Sequence, residues 1–266
     1  MILQQINSII SRVKQKNEKS RSYVCINCGC PVKELIKKYS PTVLKINHCD
    51  NCNEIADKYI EFETIIILID LVLLSKAAYR HVVFNTESKN LWKLAVIIIL
   101  LESYCLWVET FKVDRSSPQS IHDPFLSEKS FYLSCAQIIL GNVLLYIFMV
   151  ILSAPSRGLL YINHGNHPLY RSKLAFALNL LRGLTLASIG KFFFLPIMIW
   201  KENSTETQIA VHLSLVIIYF ILSLIHAHSV VANCSRLASI FIVIFSYVSE
   251  TYIITELSLY AKGHLF

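Results

Sequence analysis

Residues Phe131–Ser153 read FYLSCAQIILGNVLLYIFMVILS, an unbroken run with no charged side chain. A helix needs about 20 apolar residues to cross the hydrocarbon core of a bilayer, so this stretch is long enough to span. Ile209–Val231 (IAVHLSLVIIYFILSLIHAHSVV) is equally free of charge. The whole chain agrees: of 266 residues 54% are hydrophobic and 16% charged, with mean hydropathy +0.51, against about 25% charged in a soluble domain. That balance excludes a soluble globule and a disordered chain. Eight cysteines in this length are too dilute for a disulfide scaffold, which carries more than about 8%. The expected fold is mainly α, a polytopic helical membrane protein.

Three further segments extend the bundle over residues 91–260. Residues 91–108 contain Glu102, residues 173–200 contain Arg182, Lys191 and Pro196, and residues 237–257 are apolar up to Glu250. With 131–153 and 209–231 they make about five spans. Phe62–Phe84 is different, because Asp70 interrupts its apolar run and Lys76, Arg80 and His81 follow it. Glu63, Asp70, Ala77 and His81 fall on one stripe of a helix, which suits a helix lying in the interface over 61–84. Topology supports that choice. If 62–84 does not cross, Arg157, Arg171, Lys173 and Arg236 share the side of the N-terminus, while the more acidic loops at 109–130 and 201–208 face away. The short loops then obey the positive-inside rule with a cytoplasmic head. In that topology the sequon at Asn203 is lumenal and the one at Asn233 is cytoplasmic.

The first sixty residues hold ten Lys/Arg against five Asp/Glu, a balance that favours anionic lipid beside a cytoplasmic head. Nucleic acid is not an expected partner, since no basic-aromatic platform accompanies the charge. Met1–Ile10 is too short and too polar for a signal-peptide core. Its apolar residues recur at helical spacing, leaving either an amphipathic helix or an irregular tail over 1–22.

Residues 23–60 carry the sharpest motif. Cys25-Ile-Asn-Cys28 and Cys49-Asp-Asn-Cys52 stand twenty residues apart. Each C-x-x-C knuckle places two thiolates on one side of a tight turn, and two knuckles supply four sulfurs for one tetrahedral Zn²⁺. Gly29 and Asn53, each just after a knuckle, tolerate the positive φ such a turn needs. Tyr23-Val24, Val32 and Val43–Ile46 offer short strands, so a zinc-ribbon-like β module is expected. Cys30 and His48 are too few for a second, RING-type site. Four sulfurs leave no open position, so the metal is structural.

Ionisable groups inside spans are costly and mark function or interhelical pairing. Here they are Glu102, Arg182, Lys191, His212, His226, His228, Glu250 and Glu256, of which Glu102, Lys191, His226 and Glu250 are the foremost polar candidates. His226 and His228 lie about 200° apart around a helix and cannot share an ion. His164 and His167 lack a paired acid. No nucleophile elbow, P-loop or H-E-x-x-H is present, so no catalytic residue and no enzymatic activity are expected.

The run Tyr23-Val-Cys25-x-x-Cys28-Gly, Cys49-x-x-Cys52, Ala56-Asp-Lys-Tyr-Ile-Glu-Phe-Glu63, Ile69-Asp-Leu and Ala78-Tyr-Arg-His81 with Asn85 resembles the homology domain of the Arv proteins. Gly190-Lys-Phe-Phe-Phe-Leu-Pro-Ile-Met-Ile-Trp200 resembles a membrane segment of that family. The resemblance implies an endoplasmic-reticulum protein of lipid homeostasis, concerned with sterol distribution, sphingolipid balance and glycosylphosphatidylinositol (GPI) anchor intermediates. The family's cysteine pairs carry over onto Cys25, Cys28, Cys49 and Cys52. On this reading the partners are membrane lipids: sterol, sphingolipid or glycolipid precursors. Lys76, Arg80, Lys89 and Lys93 would contact phosphates, and the spans would provide a groove for the lipid body. The rival is a scaffold that recruits lipid-biosynthetic enzymes. A more distant alternative is a membrane-bound acyltransferase built on His212 or His226.

Overall fold

The computed structural model describes residues 23–38, 44–86, 90–115, 124–163, 173–201 and 204–265. The tail 1–22, Lys89, His164, His167 and Asn203 lie outside these residues, so the expectations placed on them have no structural counterpart here.

The head is built from two hairpins. β1 (Tyr23–Val24) pairs antiparallel with β2 (Pro31–Val32), and β3 (Ile36–Lys38) pairs antiparallel with β4 (Leu44–Ile46). The sequence reading anticipates β1, β2 and β4 but not β3, whose Ile-Lys-Lys composition carries little strand signal. Cys25, Val32, Leu35, Cys49 and Ala56 form the head's own core. So small an apolar cluster cannot offset the ordering entropy of the head alone.

Below the head, one continuous helix over 61–84 is not what forms. A 3-10 turn at Lys58–Glu61 leads to α1 (Thr64–Val72), then α2 (Lys76–Arg80), then a wider π-type turn at His81–Asn85. The break is at Leu74, which takes left-handed φ 57°, a conformation costing a non-glycine residue roughly 1–2 kcal/mol. No proline or glycine marks it. Ser75 N–H donates to the Asp70 carbonyl at 2.9 Å and closes the turn. At nine residues, α1 is about 14 Å long, far short of a bilayer. Ile65 and Ile69 on it, and Leu73 just past its end, are largely exposed. The segment is therefore a broken collar, and neither of its short helices is long enough to cross alone.

Five helical segments are long and apolar enough to cross a membrane: Leu91–Thr110, Glu128–Ala154, Lys173–Trp200, Glu206–Ala232 and Arg236–Tyr260. They belong to α3 (Leu91–Arg115), α4 (Pro124–Asn163), α5 (Lys173–Ala187) continuing into α6 (Phe194–Trp200), α7 (Glu206–Ala232) and α8 (Arg236–Leu265). The chain is a multi-pass membrane protein. Thr205 opens α7 with reciprocal capping bonds to Gln208, and Asn233 closes it in left-handed geometry. Between α5 and α6 the backbone tightens to 3-10 winding over Ser188–Phe193. Gly190 lies there against the Tyr219 ring, where a Cβ would approach to 2.2 Å.

Head, collar and bundle share one apolar core: Ile26, Tyr59, Tyr79 and Val83 are buried in the same cluster as Met149, Phe176 and Leu224. Polar bonds fasten the collar to α7. Tyr219 Oη donates to the Val72 carbonyl at 2.8 Å, Tyr79 Oη lies 2.6 Å from Ser223 Oγ, and Lys76 Nζ donates to Ser229 Oγ at 3.3 Å. The head thus sits at the end of the bundle where α7 finishes. At the opposite end Lys201 pairs with Glu109.

Candidate metal centre and intramembrane polar cleft

The two knuckles are built alike. In the first, Gly29 N–H donates to the Cys25 carbonyl and Cys25 N–H to the Cys30 carbonyl, both at 2.9 Å. In the second, Asn53 N–H donates to the Cys49 carbonyl and Cys49 N–H to the Glu54 carbonyl, both at 2.8 Å. Gly29 (φ 82°) and Asn53 (φ 58°) occupy equivalent positions and take the anticipated positive φ. The local turn aims each pair of thiols at the other pair.

The four Sγ atoms all lie within 4.8 Å of one another. Cys25 Sγ is 3.7 Å from Cys52 Sγ, and Cys28 Sγ is 3.6 Å from Cys49 Sγ. These separations exceed a disulfide's ~2.05 Å and match the ~3.8 Å edge of a tetrahedron with 2.3 Å metal–sulfur bonds. The residues fit a four-coordinate ion. Cys30 and His48 stay outside the group, as expected. Burial pushes the Cys25 thiol up to about 12 and Cys30 up to about 11. Burial also opposes the Cys28 thiolate, but the Cys30 backbone N–H and the neighbouring thiols outweigh it and bring Cys28 down to about 6. Four thiols this close do not all ionise without a cation to hold them.

A second layer of contacts ties the knuckle to the collar. Arg80 Nη1 donates to the carbonyls of Ile26 (2.9 Å) and Asn27 (2.5 Å), and its guanidinium covers Gly29. Asn85 pairs with the Val24 backbone in both directions at 2.8–2.9 Å. The fully buried Asp57 carboxylate accepts from Asn85 Nδ2 at 2.7 Å and from Tyr59 N–H at 3.0 Å, and lies 2.7 Å from His81 Nδ1. Tyr59 Oη donates to Asp70 at 2.6 Å. Sequence reasoning placed Asp70 and His81 on one stripe but gave Asp57 and Asn85 no role. The only signal was their presence in the motif that carries the family resemblance.

Of the four expected phosphate contacts, the three among the described residues do not form one surface. Arg80 turns inward onto the head, and Lys76 is half-buried and directed at Ser229. Lys93 is exposed beside the Trp92 ring, and Lys89 lies outside the described residues. The basic groups nearest the head were needed to bond backbone and hydroxyl oxygens as the collar folded under it.

Within the spans, three of the four foremost polar candidates meet. Lys191 Nζ lies 2.6 Å from Glu102 Oε1 and over the Phe220 ring at 4.2 Å. Asn142 Nδ2 approaches Glu102 Oε2 at 3.4 Å. Glu250 reaches the same place from α8, over Gly141, where a Cβ would stand 2.6 Å from its Oε1. Together they line a cleft of about 230 Å³ among α3, α4, α6, α7 and α8. His226 does not join them. His228 is fully buried, with Nε2 2.8 Å from Ser153 Oγ and Nδ1 3.2 Å from Ser239 Oγ, an interhelical tie. A separate groove of about 660 Å³ opens beside α6 and α7, lined by Phe193, Pro196, Trp200, His212 and Tyr219 among others.

A family model described as the Arv1-like family matches residues 24–224. Human (Homo sapiens) Protein ARV1 is 30% identical over 232 residues, covering 87% of this chain and 80% of that protein. Protein ARV1 of Bos taurus is 34% identical over 223 residues, covering 82% and 72%. Protein ARV1 of Saccharomyces cerevisiae is 39% identical over a shorter 83-residue stretch, 31% of this chain. No solved structure matches.

Proposed function

Because this chain belongs to the Arv1-like family, with a build consistent with a role in lipid homeostasis, we propose that it handles lipid at the endoplasmic-reticulum membrane with its head on the cytoplasmic face. The lipids are those the family resemblance implies: sterol to be distributed, sphingolipid to be balanced, GPI-anchor intermediates to be passed on. The role is non-catalytic.

The observation that carries this reading is the continuity of head, collar and bundle. The exposed apolar face of α1 anchors in the leaflet, Arg80, Asp57 and Asn85 lock the head onto that collar, and Tyr79 and Tyr219 lock the collar onto α7. Beside α7 runs the 660 Å³ groove, with His212 and Trp200 among its lining residues and an apolar floor, which suits a lipid body with one polar end. Zinc is the ion best suited to four thiolates. Held by Cys25, Cys28, Cys49 and Cys52, it cross-links the head and offers no vacant position for chemistry. The positive-inside pattern of the short loops supports the cytoplasmic head.

The test is transfer of a fluorescent sterol, and separately of a labelled phosphoinositide, between vesicles by purified full-length protein. Faster transfer of either over protein-free vesicles is expected. No transfer, together with co-purification of lipid-biosynthetic enzymes, would replace this reading with the scaffold.

A further inference from the structure

Where α7 gives way to α8, positive charge collects without a carboxylate beside it. Lys76 comes from α2, His226 from near the end of α7, and Arg236 is the first residue of α8. The corner between the two long helices is a built turn. Asn233 reverses the chain in left-handed geometry, and Ser235 Oγ accepts from the Ala238 N–H at 3.3 Å. Lys76 is half-buried, and its ammonium has only a neutral partner, Ser229 Oγ at 3.3 Å. Arg236 is exposed, and neither it nor His226 makes a hydrogen bond or ion pair among the described residues. Burial first, then the like charges of Arg236 and Arg80, push the Lys76 ammonium below its ordinary value. His226 faces the same pair of cations, Lys76 and Arg236. Arg80 is engaged by the head carbonyls, and the remaining neighbour of Lys76 is the Cys234 thiol, itself 3.1 Å from Ser239 Oγ. No Asp or Glu occurs from residue 71 to 86 or from 207 to 249, so neither the collar beyond Asp70 nor the two helix ends supply a counter-charge.

We propose that this corner binds the phosphate of a lipid phosphomonoester from the leaflet on the head's side, held by Lys76, Arg236 and His226. Like charges gathered at a partly desolvated site repel one another, and an anion between them reverses the sign of that interaction. A phosphomonoester carries a charge of about −1.5 to −2 near neutral pH and presents three strong acceptor oxygens. That matches two fixed cations and a third N–H donor. Arg236 offers a planar fork to two oxygens, and Lys76 acts as a point charge. A phosphocholine headgroup would bring its own cation into the cluster, and a singly charged phosphodiester would leave half of the positive charge unmatched. The anion belongs to a lipid because one candidate span ends at Ala232 and the next begins at Arg236, which sets the cluster at the level of the headgroups. The site requires only that α7 and α8 cross the bilayer, so it stands apart from the transfer reading.

The experiment uses full-length protein in phosphatidylcholine vesicles with a photoreactive phosphatidic acid as the probe. Labelling is expected on the segments containing Lys76 and Arg236. Arg236→Gln and Lys76→Gln should each lower it about tenfold, the scale of one charge-assisted hydrogen bond. Lys93→Gln, which removes an exposed cation near the start of α3, should leave it unchanged. An equal loss in Lys93→Gln would mean attraction to surface charge in general and would overturn the proposal, as would undiminished labelling of Arg236→Gln. Unlabelled phosphatidic acid should compete several-fold better than phosphatidylglycerol. Equal competition by phosphatidylglycerol in the unaltered protein would overturn the phosphomonoester whether or not the variants fold. Millimolar inorganic phosphate should not compete; if it does, the corner takes a free anion and the lipid assignment falls.

Discussion

Arg80 Nη1 donates to the carbonyl oxygen of Ile26 at 2.9 Å, a bond that runs from the collar into the loop between Cys25 and Cys28. A divalent ion with four thiolates leaves a net negative charge, and Arg80 brings its guanidinium against Gly29 beside it. The four-cysteine group and the collar are thereby one structural unit.

Arg80→Ala is expected to loosen the head from the collar by about 2–3 kcal/mol, the scale of hydrogen bonds from a charged donor. Arg80→Lys should recover less than half of this, because an ammonium cannot reproduce the planar fork. Limited proteolysis of the intact protein would show it as faster cleavage between the head and α1. Cleavage at the unaltered rate in Arg80→Ala would mean the contact contributes little.

Asp57 is the hub of the second clamp. Removing its carboxylate leaves Asn85 Nδ2 and the Tyr59 N–H without acceptors in a dry site and His81 without its neighbour. Asp57→Ala should cost about 2–4 kcal/mol, the scale of buried donors left without their acceptor, and Asp57→Asn distinctly less. Thermal unfolding monitored by head proteolysis would rank the two.

Metal retention should depend on pH with a definite sign. Cys25 without a cation holds its proton to about 12, so metal binding releases protons and affinity rises with pH. Acidification from about pH 7.5 to about 5.5 should release the ion progressively to a chromogenic chelator, and return to neutral pH should restore it. Equal retention across that range would argue against thiolate ligation.

Gly190→Ala probes the joint between α5 and α6. Its Cβ would meet the Tyr219 ring at 2.2 Å, and that ring is held by Phe193 edge-on and by the bond to Val72. The substitution should destabilise the bundle by about 1–3 kcal/mol, the usual cost of overpacking. Gly190→Ala combined with Tyr219→Phe should be no better, because the ring remains. Gly190→Ala with Tyr219→Leu should recover part of the loss in detergent-based thermal unfolding.

What the sequence disclosed follows from how far each signal reaches. The spans were legible because a bilayer imposes length and apolarity on contiguous residues. The four cysteines were legible because each knuckle is local and the ion dictates residue type. The break at Leu74 was not, since neither glycine nor proline marks it and the turn is closed by a backbone bond to Asp70. Arg80 read as a phosphate contact because charge alone does not say which way a side chain faces. The meeting of Glu102, Lys191 and Glu250 was invisible because helical periodicity is silent on which helices become neighbours. The role of His228 was invisible for the same reason, since its partners Ser153 and Ser239 come from two other helices.

The central claim is that a thiolate-bound zinc ion holds the head in its folded form against the bundle. Elemental analysis of purified, folded full-length protein by plasma mass spectrometry tests it most directly, beside the Cys25→Ser and Cys49→Ser variants. The prediction is one equivalent of zinc per chain for the four-cysteine group, lost in both variants, whose heads become protease-sensitive while the spans stay inserted. Folded protein carrying no zinc, or variants whose heads resist protease as well as the original, would contradict it.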